Sequence, residues 1–120
     1  MLNSVKWNGK DYRGKLGERQ RQWLANDLSV VPEDQLVVLN MHIGLFGWHD
    51  GVKGPAGISD CRKLYEFVEG RDVLALVCHS HVVELFETGD NVPGWRHRIP
   101  ESGSEPLPFP QVHVEAVCGG

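Results

Sequence analysis

Apolar positions along residues 16–28 fall on one helical stripe, and Gln, Arg, Glu and Asp occupy most of the other positions. The members of this stripe are Leu16, Trp23, Leu24 and Leu28. Their spacing predicts an amphipathic helix of about three turns. We expect the helix to end before Pro32, because proline disfavours helical backbone at the residue that precedes it.

Two apolar runs predict buried strands. Residues 35–43, QLVVLNMHI, are rich in Leu and Val and show no polar alternation before Asn40. Residues 72–77, DVLALV, form a shorter run of the same kind. Continuous apolar runs are typical of strands that are buried on both faces, in parallel or mixed sheets covered by helices. The sequence therefore predicts two buried strands.

A second helix is predicted between these two strands. Ser59 is a suitable N-cap, and Gly70 stands where a C-terminal cap belongs. Apolar residues between them recur with helical spacing at Cys61, Leu64, Tyr65 and Val68. The glycine-rich residues 44–58 precede this helix and form a loop longer than most connections, which favours a functional role for the loop.

Alternating apolar and polar residues predict two further strands, at residues 82–89 and 111–117. Residues 90–110 between them are rich in proline and lack periodicity, so we expect an extended excursion there. The resulting order of helix, strand, helix, strand, strand, loop and strand predicts an α/β fold. Its mixed sheet would be flanked by helices.

Composition narrows the class of protein. The chain has 120 residues, which is enough for one domain, and a formal net charge of -4. That charge argues against a nucleic-acid-binding face and against an anionic membrane partner. No apolar run approaches the roughly 20 residues needed to span a bilayer. The N-terminus lacks the apolar core of a signal peptide, so a cytoplasmic location is the default expectation.

A histidine lies at the C-terminal end of each predicted buried strand. His42 ends the first run, and His79 comes directly after the second. A helical crossover makes the two strands parallel, so both histidines should emerge at the carboxyl edge of the sheet, where ligands bind in open α/β sheets. His81 follows His79 by two positions and would point to the same side in extended backbone. Neutral imidazole is a common ligand of zinc, iron, nickel and copper, so these three residues predict a metal site.

Cysteine and histidine residues in and around these segments allow other kinds of site. A structural zinc site could combine thiols with the same imidazoles, using Cys78, His79, His81 or Cys118. The simpler interpretation of Cys78 is a buried structural thiol. Neighbouring side chains in a strand point to opposite faces, so Cys78 would point away from His79 unless the chain turns there. His49 lies in the glycine-rich loop and is a candidate contact to substrate. His113 alternates with valines and is interpreted as structural or solvent-facing.

Three segments resemble calcineurin-like metallophosphoesterases. Residues 20–46, QRQWLANDLSVVPEDQLVVLNMHIGLF, resemble the part of that family in which a helix with a Q-x-x-W-L pattern precedes a strand ending in a metal-binding histidine. Residues 73–81, VLALVCHSH, resemble the closing motif, an apolar strand that runs into Gly-His-x-His. Residues 112–120, VHVEAVCGG, resemble a stretch found in bacterial members that carry an extra C-terminal domain.

The resemblance implies a dinuclear hydrolase of phosphate esters that uses Mn, Fe or Zn. By position, His42 and His79 would ligate one ion and His81 the other. The family's earlier motifs, Asp-x-His, Gly-Asp-x-x-Asp and Gly-Asn-His-Glu or -Asp, do not occur in this sequence. Cys78 replaces the glycine of the closing motif, and we expect a strained turn there.

We therefore expect a partial calcineurin-like phosphoesterase sandwich. Residues 1–15 would be an N-terminal extension, and residues 16–120 the C-terminal half of the catalytic domain. Such a half would be weakly active or inactive alone, so no catalytic residue is assigned. Half of a layered α/β sandwich leaves apolar sheet surface uncovered, which predicts a homo-oligomer or pairing with the missing N-terminal half. The alternative is a non-catalytic, self-associating binding module that retains a vestigial histidine site.

Overall fold

The computed structural model describes residues 1–45, 57–79, 83–90 and 107–114. In chain order the elements are strands β1 (Val5–Asn8) and β2 (Asp11–Gly14), helix α1 (Glu18–Leu28), strand β3 (Val37–Met41), helix α2 (Cys61–Val68), and strands β4 (Val73–Val77), β5 (Glu84–Phe86) and β6 (Gln111–His113). The predicted class, an α/β fold with a mixed sheet and flanking helices, is confirmed. The predicted order of helices and strands is also confirmed, with an additional hairpin before it. Most of each loop predicted at residues 44–58 and 90–110 lies outside the described residues.

The larger sheet has the strand order β3-β4-β6-β5. Strand β4 pairs in parallel with both β3 and β6, and β5 runs antiparallel to β6. The parallel β3–β4 pair starts with Val37 opposite Val73 and ends with Met41 opposite Val77. Helix α2 connects these two strands, which is the crossover that the sequence predicts.

One face of this sheet contributes to the core with both helices. Buried strand residues on that face are Val37, Leu39, Met41, Val73, Ala75 and Val77. They belong to one apolar cluster with the buried residues of α1 and α2, which are Leu24, Leu28, Cys61, Leu64 and Val68. Every second strand residue therefore points into the helices, as the pleat of a strand requires.

The opposite face is only partly covered, which corrects the prediction that both apolar runs are buried on both faces. Val38 in β3 is 47% exposed, and Leu85 in β5 is 63% exposed. We call this surface the open face. The pairing register of the strands and the alternation of their side chains place six apolar residues on it. They are Val38, Leu74, Leu76, Leu85, Val112 and Val114. Leu and Val occupy both faces of β3 and β4, so the sequence pattern does not reveal which face the helices cover.

Residues 1–15 contain a hairpin that the sequence analysis did not predict. Strands β1 and β2 are antiparallel, and Gly9 between them has a φ of 70°. The available signal was Gly9, the first residue of the two-residue turn between Asn8 and Asp11, because glycine at that position favours tight hairpin turns. The hairpin packs on the core through Val5 and Tyr12. Whether a domain boundary falls near residue 15 stays a prediction.

Asp60 connects the two helices. Its buried carboxylate accepts hydrogen bonds from the backbone N–H groups of Leu16 and Gly17, at 2.9 Å each, and forms a salt bridge with Arg21. Asp60, rather than the predicted Ser59, is the N-cap residue of α2, but its carboxylate makes no cap bond to that helix. The carboxylate instead satisfies backbone donors where α1 begins. The predicted end of α2 is confirmed by the left-handed φ of 77° at Gly70.

Candidate functional site

His42 and His79 lie at the carboxyl ends of neighbouring parallel strands. His42 directly follows β3, and His79 comes two residues after β4. The backbone N–H of Cys78 donates a hydrogen bond of 3.2 Å to the carbonyl of His42. Main-chain pairing thus continues past the ends of both strands and brings the two histidine backbones together.

The two imidazole rings meet. The Nε2 atom of His42 lies 3.2 Å from the Nδ1 atom of His79. The ring centroids are 5.0 Å apart, and the ring planes meet at 73°. His42 is exposed and His79 is half-buried, so the pair lies at the protein surface. The convergence that the sequence predicts for these two residues is therefore observed, whereas their role as ligands stays a prediction.

The separation of the two nitrogen atoms fits a pair of ligands to one metal ion. Two imidazole nitrogens that each lie about 2.05 Å from zinc, at a tetrahedral angle, are about 3.3 Å apart. Without a cation between them, two neutral rings at this distance share a hydrogen bond, which one ring nitrogen donates and the other accepts. Among residues 1–45, 57–79, 83–90 and 107–114, no group of three or more His, Cys, Asp and Glu side chains is arranged to hold a metal. His42 and His79 thus supply two of the ligands that an ion would need.

His79 has a left-handed backbone conformation, with a φ of 63°. Cys78 does not share it, so the strained turn predicted at Cys78 lies one residue later, on the histidine itself. Non-glycine residues adopt this conformation rarely, although histidine tolerates it better than branched residues do. Backbone strain of this kind is concentrated at functional sites, where surrounding structure maintains it. Here the turn aims the imidazole of His79 at His42.

The hairpin forms an aromatic wall beside the pair. Tyr12 meets His79 edge-to-face, with ring centroids 5.9 Å apart. Trp7 in turn contacts Tyr12, at a centroid distance of 5.5 Å. Sequence reasoning missed both aromatic residues because it treated residues 1–15 as an extension. The signal was present in the alternation of the hairpin, which places Trp7 directly opposite Tyr12.

A buried chain of hydrogen bonds connects the start of the glycine-rich loop with strand β6. Gln111 and His113 are 0% and 2% exposed. The Oε1 atom of Gln111 accepts a hydrogen bond of 2.7 Å from the backbone N–H of Leu45. Its Nε2 group is therefore oriented to donate to Nε2 of His113, 2.8 Å away. Gly44 permits this approach, since a β-carbon there would lie 2.8 Å from the Oε1 atom of Gln111. His113 is structural, as one of the two sequence interpretations had it.

Several predicted site residues lie outside the described residues. They are His49, His81 and Cys118. The ligand role of His81, the substrate contact by His49 and a zinc site that includes Cys118 stay predictions. Cys61 and Cys78 are free thiols. Cys61 is buried in the core, and this burial raises the pKa of its thiol above the ordinary value.

Comparisons of the chain with models of known protein families, with curated proteins and with solved structures find no match. Within the described part of the chain, no helix has the length and apolar character needed to cross a membrane. The likeness to calcineurin-like metallophosphoesterases therefore depends on the three sequence segments alone.

Proposed function

We propose that this chain carries the C-terminal half of a dinuclear metallophosphoesterase domain of the calcineurin-like type. The observation that carries the proposal is the pair of His42 and His79. Their facing nitrogen atoms lie 3.2 Å apart, at the carboxyl ends of two parallel strands joined by a helix. Two of the resembling segments contain these histidines, so the sequence likeness and the observed geometry concern the same residues.

The residues have distinct roles in this proposal. His42 and His79 hold one divalent ion of Mn, Fe or Zn, and His81 belongs to the second ion. Bound metal lowers the pKa of coordinated water and stabilises the charge that develops on the phosphate ester. His42 offers its ring from the exposed side, while the half-buried His79 is oriented by its left-handed backbone. Tyr12 borders the ring of His79 and restricts the directions from which a phosphate ester approaches.

The chain alone supplies an incomplete centre. A dinuclear site of this family needs a bridging aspartate and an asparagine from motifs that do not occur in this sequence. Each ion would therefore lack some of its usual ligands, and we propose weak or absent turnover for the isolated chain. Activity would require pairing with a chain segment that provides those motifs.

A second candidate function is a non-catalytic module that binds another copy of itself. The open face favours it, because Val38, Leu85 and Val114 expose 40–63% of their surface on one side of the sheet. A sheet buries its apolar face against another layer, and a second copy offers the same flat apolar surface in return. In this alternative the histidine pair is vestigial.

Metal titration tests the first proposal. Calorimetric titration of the purified chain with zinc or manganese should reveal binding that either His42→Ala or His79→Ala weakens by at least about tenfold. Tyr12→Phe is the matched control, because it keeps the ring beside His79 and should leave affinity unchanged. Loss of zinc binding in Cys78→Ser with retention in His42→Ala would contradict the proposal and favour a structural zinc site. Hydrolysis of an aryl phosphate with added manganese, at a low rate abolished by His42→Ala, would extend the result to catalysis.

A further inference from the structure

The two faces of the N-terminal hairpin have different surroundings. Trp7 and Tyr12 are cross-strand partners, so their side chains project from the same face. Val5 lies two positions before Trp7 and shares that face, because side chains alternate along a strand. Lys6 and Arg13 form the neighbouring pair and belong to the opposite face. Val5 and Tyr12 pack against the apolar core, so the face that carries Trp7 is the one turned toward the domain.

Trp7 is exposed although it belongs to this inner face. Its side chain is 75% exposed, whereas tryptophan is highly buried on average. Trp7 contacts Tyr12 at a centroid distance of 5.5 Å, and Tyr12 contacts His79 at 5.9 Å. The indole is therefore separated from His79 by the width of one aromatic ring. It provides an open apolar surface near the histidine pair and is not part of the core.

This surface suits a flat aromatic group. Indole and phenol side chains offer large π-faces and have few rotatable bonds, and the contact with Tyr12 restrains Trp7 further. A planar ring stacks on such a face with a sizeable gain in affinity. A puckered aliphatic ring of the same size lacks the flat π-face that stacking needs. The pair of Trp7 and Tyr12 therefore distinguishes planar aromatic groups from aliphatic ones.

We propose that Trp7 and Tyr12 bind the aromatic group of an aryl phosphate ester, while the phosphate of that ester lies at the histidine pair. This inference rests on the proposed phosphoesterase function and specifies its substrate class. The positive charge that the phosphate requires comes from the ion held by His42 and His79. The cations of the hairpin take no part, because they belong to its opposite face.

The order of the rings supports an ester in which the aromatic group is bonded directly to the phosphate oxygen. Tyr12 contacts both Trp7 and His79, so a ring bound beside Tyr12 lies next to the histidine pair. The short aryl linkage then brings the phosphate to the two imidazoles. Trp7 and Tyr12 are specificity-determining residues in this assignment, and neither takes part in the chemical step.

Calorimetric titration of the zinc-loaded chain with phosphate esters tests this inference. 1-Naphthyl phosphate carries a flat aromatic group, cyclohexyl phosphate carries a puckered aliphatic ring, and methyl phosphate carries no ring. The naphthyl ester should bind about tenfold more tightly than the cyclohexyl ester, since one stacking interaction has an effect of that size. Trp7→Ala should remove most of this preference. The same variant should leave the affinities for methyl phosphate and for zinc unchanged.

Trp23→Ala is the matched control, because it removes an indole that is 52% exposed on helix α1, outside the hairpin. It should change none of these affinities. Equal binding of the naphthyl and cyclohexyl esters, or a preference for the naphthyl ester that survives Trp7→Ala, overturns the assignment. A preference that persists after a chelator has removed the metal also overturns it, since the phosphate would then lie elsewhere.

The zinc titration separates this inference from the proposed function. Zinc binding that depends on His42, without any preference for the aromatic ester, refutes the assignment of Trp7 and Tyr12 and leaves the phosphoesterase proposal standing. Zinc binding that does not depend on His42 refutes both.

Discussion

The Nε2 atom of His42 and the Nδ1 atom of His79 lie 3.2 Å apart, although 37 positions separate the two residues along the chain. Parallel pairing of β3 with β4 produces this contact, because it aligns the carboxyl ends of both strands. The left-handed turn at His79 then directs its ring across the gap. Strand register and one strained residue together create the site.

The strain at His79 predicts different stabilities for two substitutions. His79→Gly and His79→Ala both remove the imidazole, but only glycine adopts a φ of 63° without a steric penalty. We expect the glycine variant to be about 1 kcal/mol more stable than the alanine variant. Urea denaturation of both proteins measures the difference. Equal stabilities would show that residue 79 does not have the left-handed conformation in solution.

The buried chain of hydrogen bonds through Gln111 predicts a large loss of stability for Gln111→Leu. This substitution removes the acceptor for the Leu45 N–H and the donor to His113, while burying a side chain of similar size. We expect the free energy of unfolding to fall by about 2–4 kcal/mol, because two buried polar groups lose these bonds. Val112→Thr, at the adjacent half-buried position of β6, is the matched control and should cost about 1 kcal/mol or less. A similar loss in both variants would argue against a structural role for the chain of hydrogen bonds.

Asp60 is expected to stabilise the fold more than its ionic partner does. Asp60→Ala removes the acceptor for two backbone N–H groups and leaves the mostly buried Arg21 without its carboxylate, so we expect a loss of about 3 kcal/mol or more. Arg21→Gln leaves both backbone bonds in place and should cost distinctly less. Chemical denaturation of both single variants and of the double variant gives the coupling energy. A larger effect of the arginine substitution would contradict this ranking.

The buried thiol of Cys61 predicts loss of stability at alkaline pH. Burial raises the thiol pKa in the folded state, so the folded protein retains this proton at a higher pH than the unfolded chain does. The associated stability is fully present below the unfolded thiol pKa, roughly 8.5, and is lost as pH rises through the folded pKa. Denaturation of the wild type and Cys61→Ala across this range should show a steeper alkaline decline for the wild type. Parallel pH profiles would contradict the prediction.

Substitutions on the open face should leave the domain folded. Leu85 is 63% exposed, so Leu85→Lys should change stability little. If a second copy covers the open face, this variant should weaken self-association measured by sedimentation equilibrium. Val30→Lys is the matched control, because Val30 is 83% exposed just beyond α1. A wild-type mass that stays monomeric at high protein concentration would contradict the self-associating module.

The local pattern of the chain was sufficient for most of the fold. Helical spacing predicted both helices, and apolar runs predicted β3 and β4 within a few residues of their observed bounds. Periodicity succeeds for these elements because each contains a continuous stripe or run of apolar side chains. The N-terminal hairpin was missed, since its strands contain mainly polar and aromatic residues and its turn depends on a single glycine.

The sequence by itself determined that two histidines end two strands joined by a helix, and the handedness rule for crossovers then placed both at one sheet edge. Only the tertiary structure decided which sheet face the helices cover, that Asp60 serves α1 rather than α2, and that Tyr12 borders His79. These features depend on contacts between residues far apart in the chain. Local periodicity contains no information about such contacts, because the same apolar residue is compatible with a covered or an uncovered face.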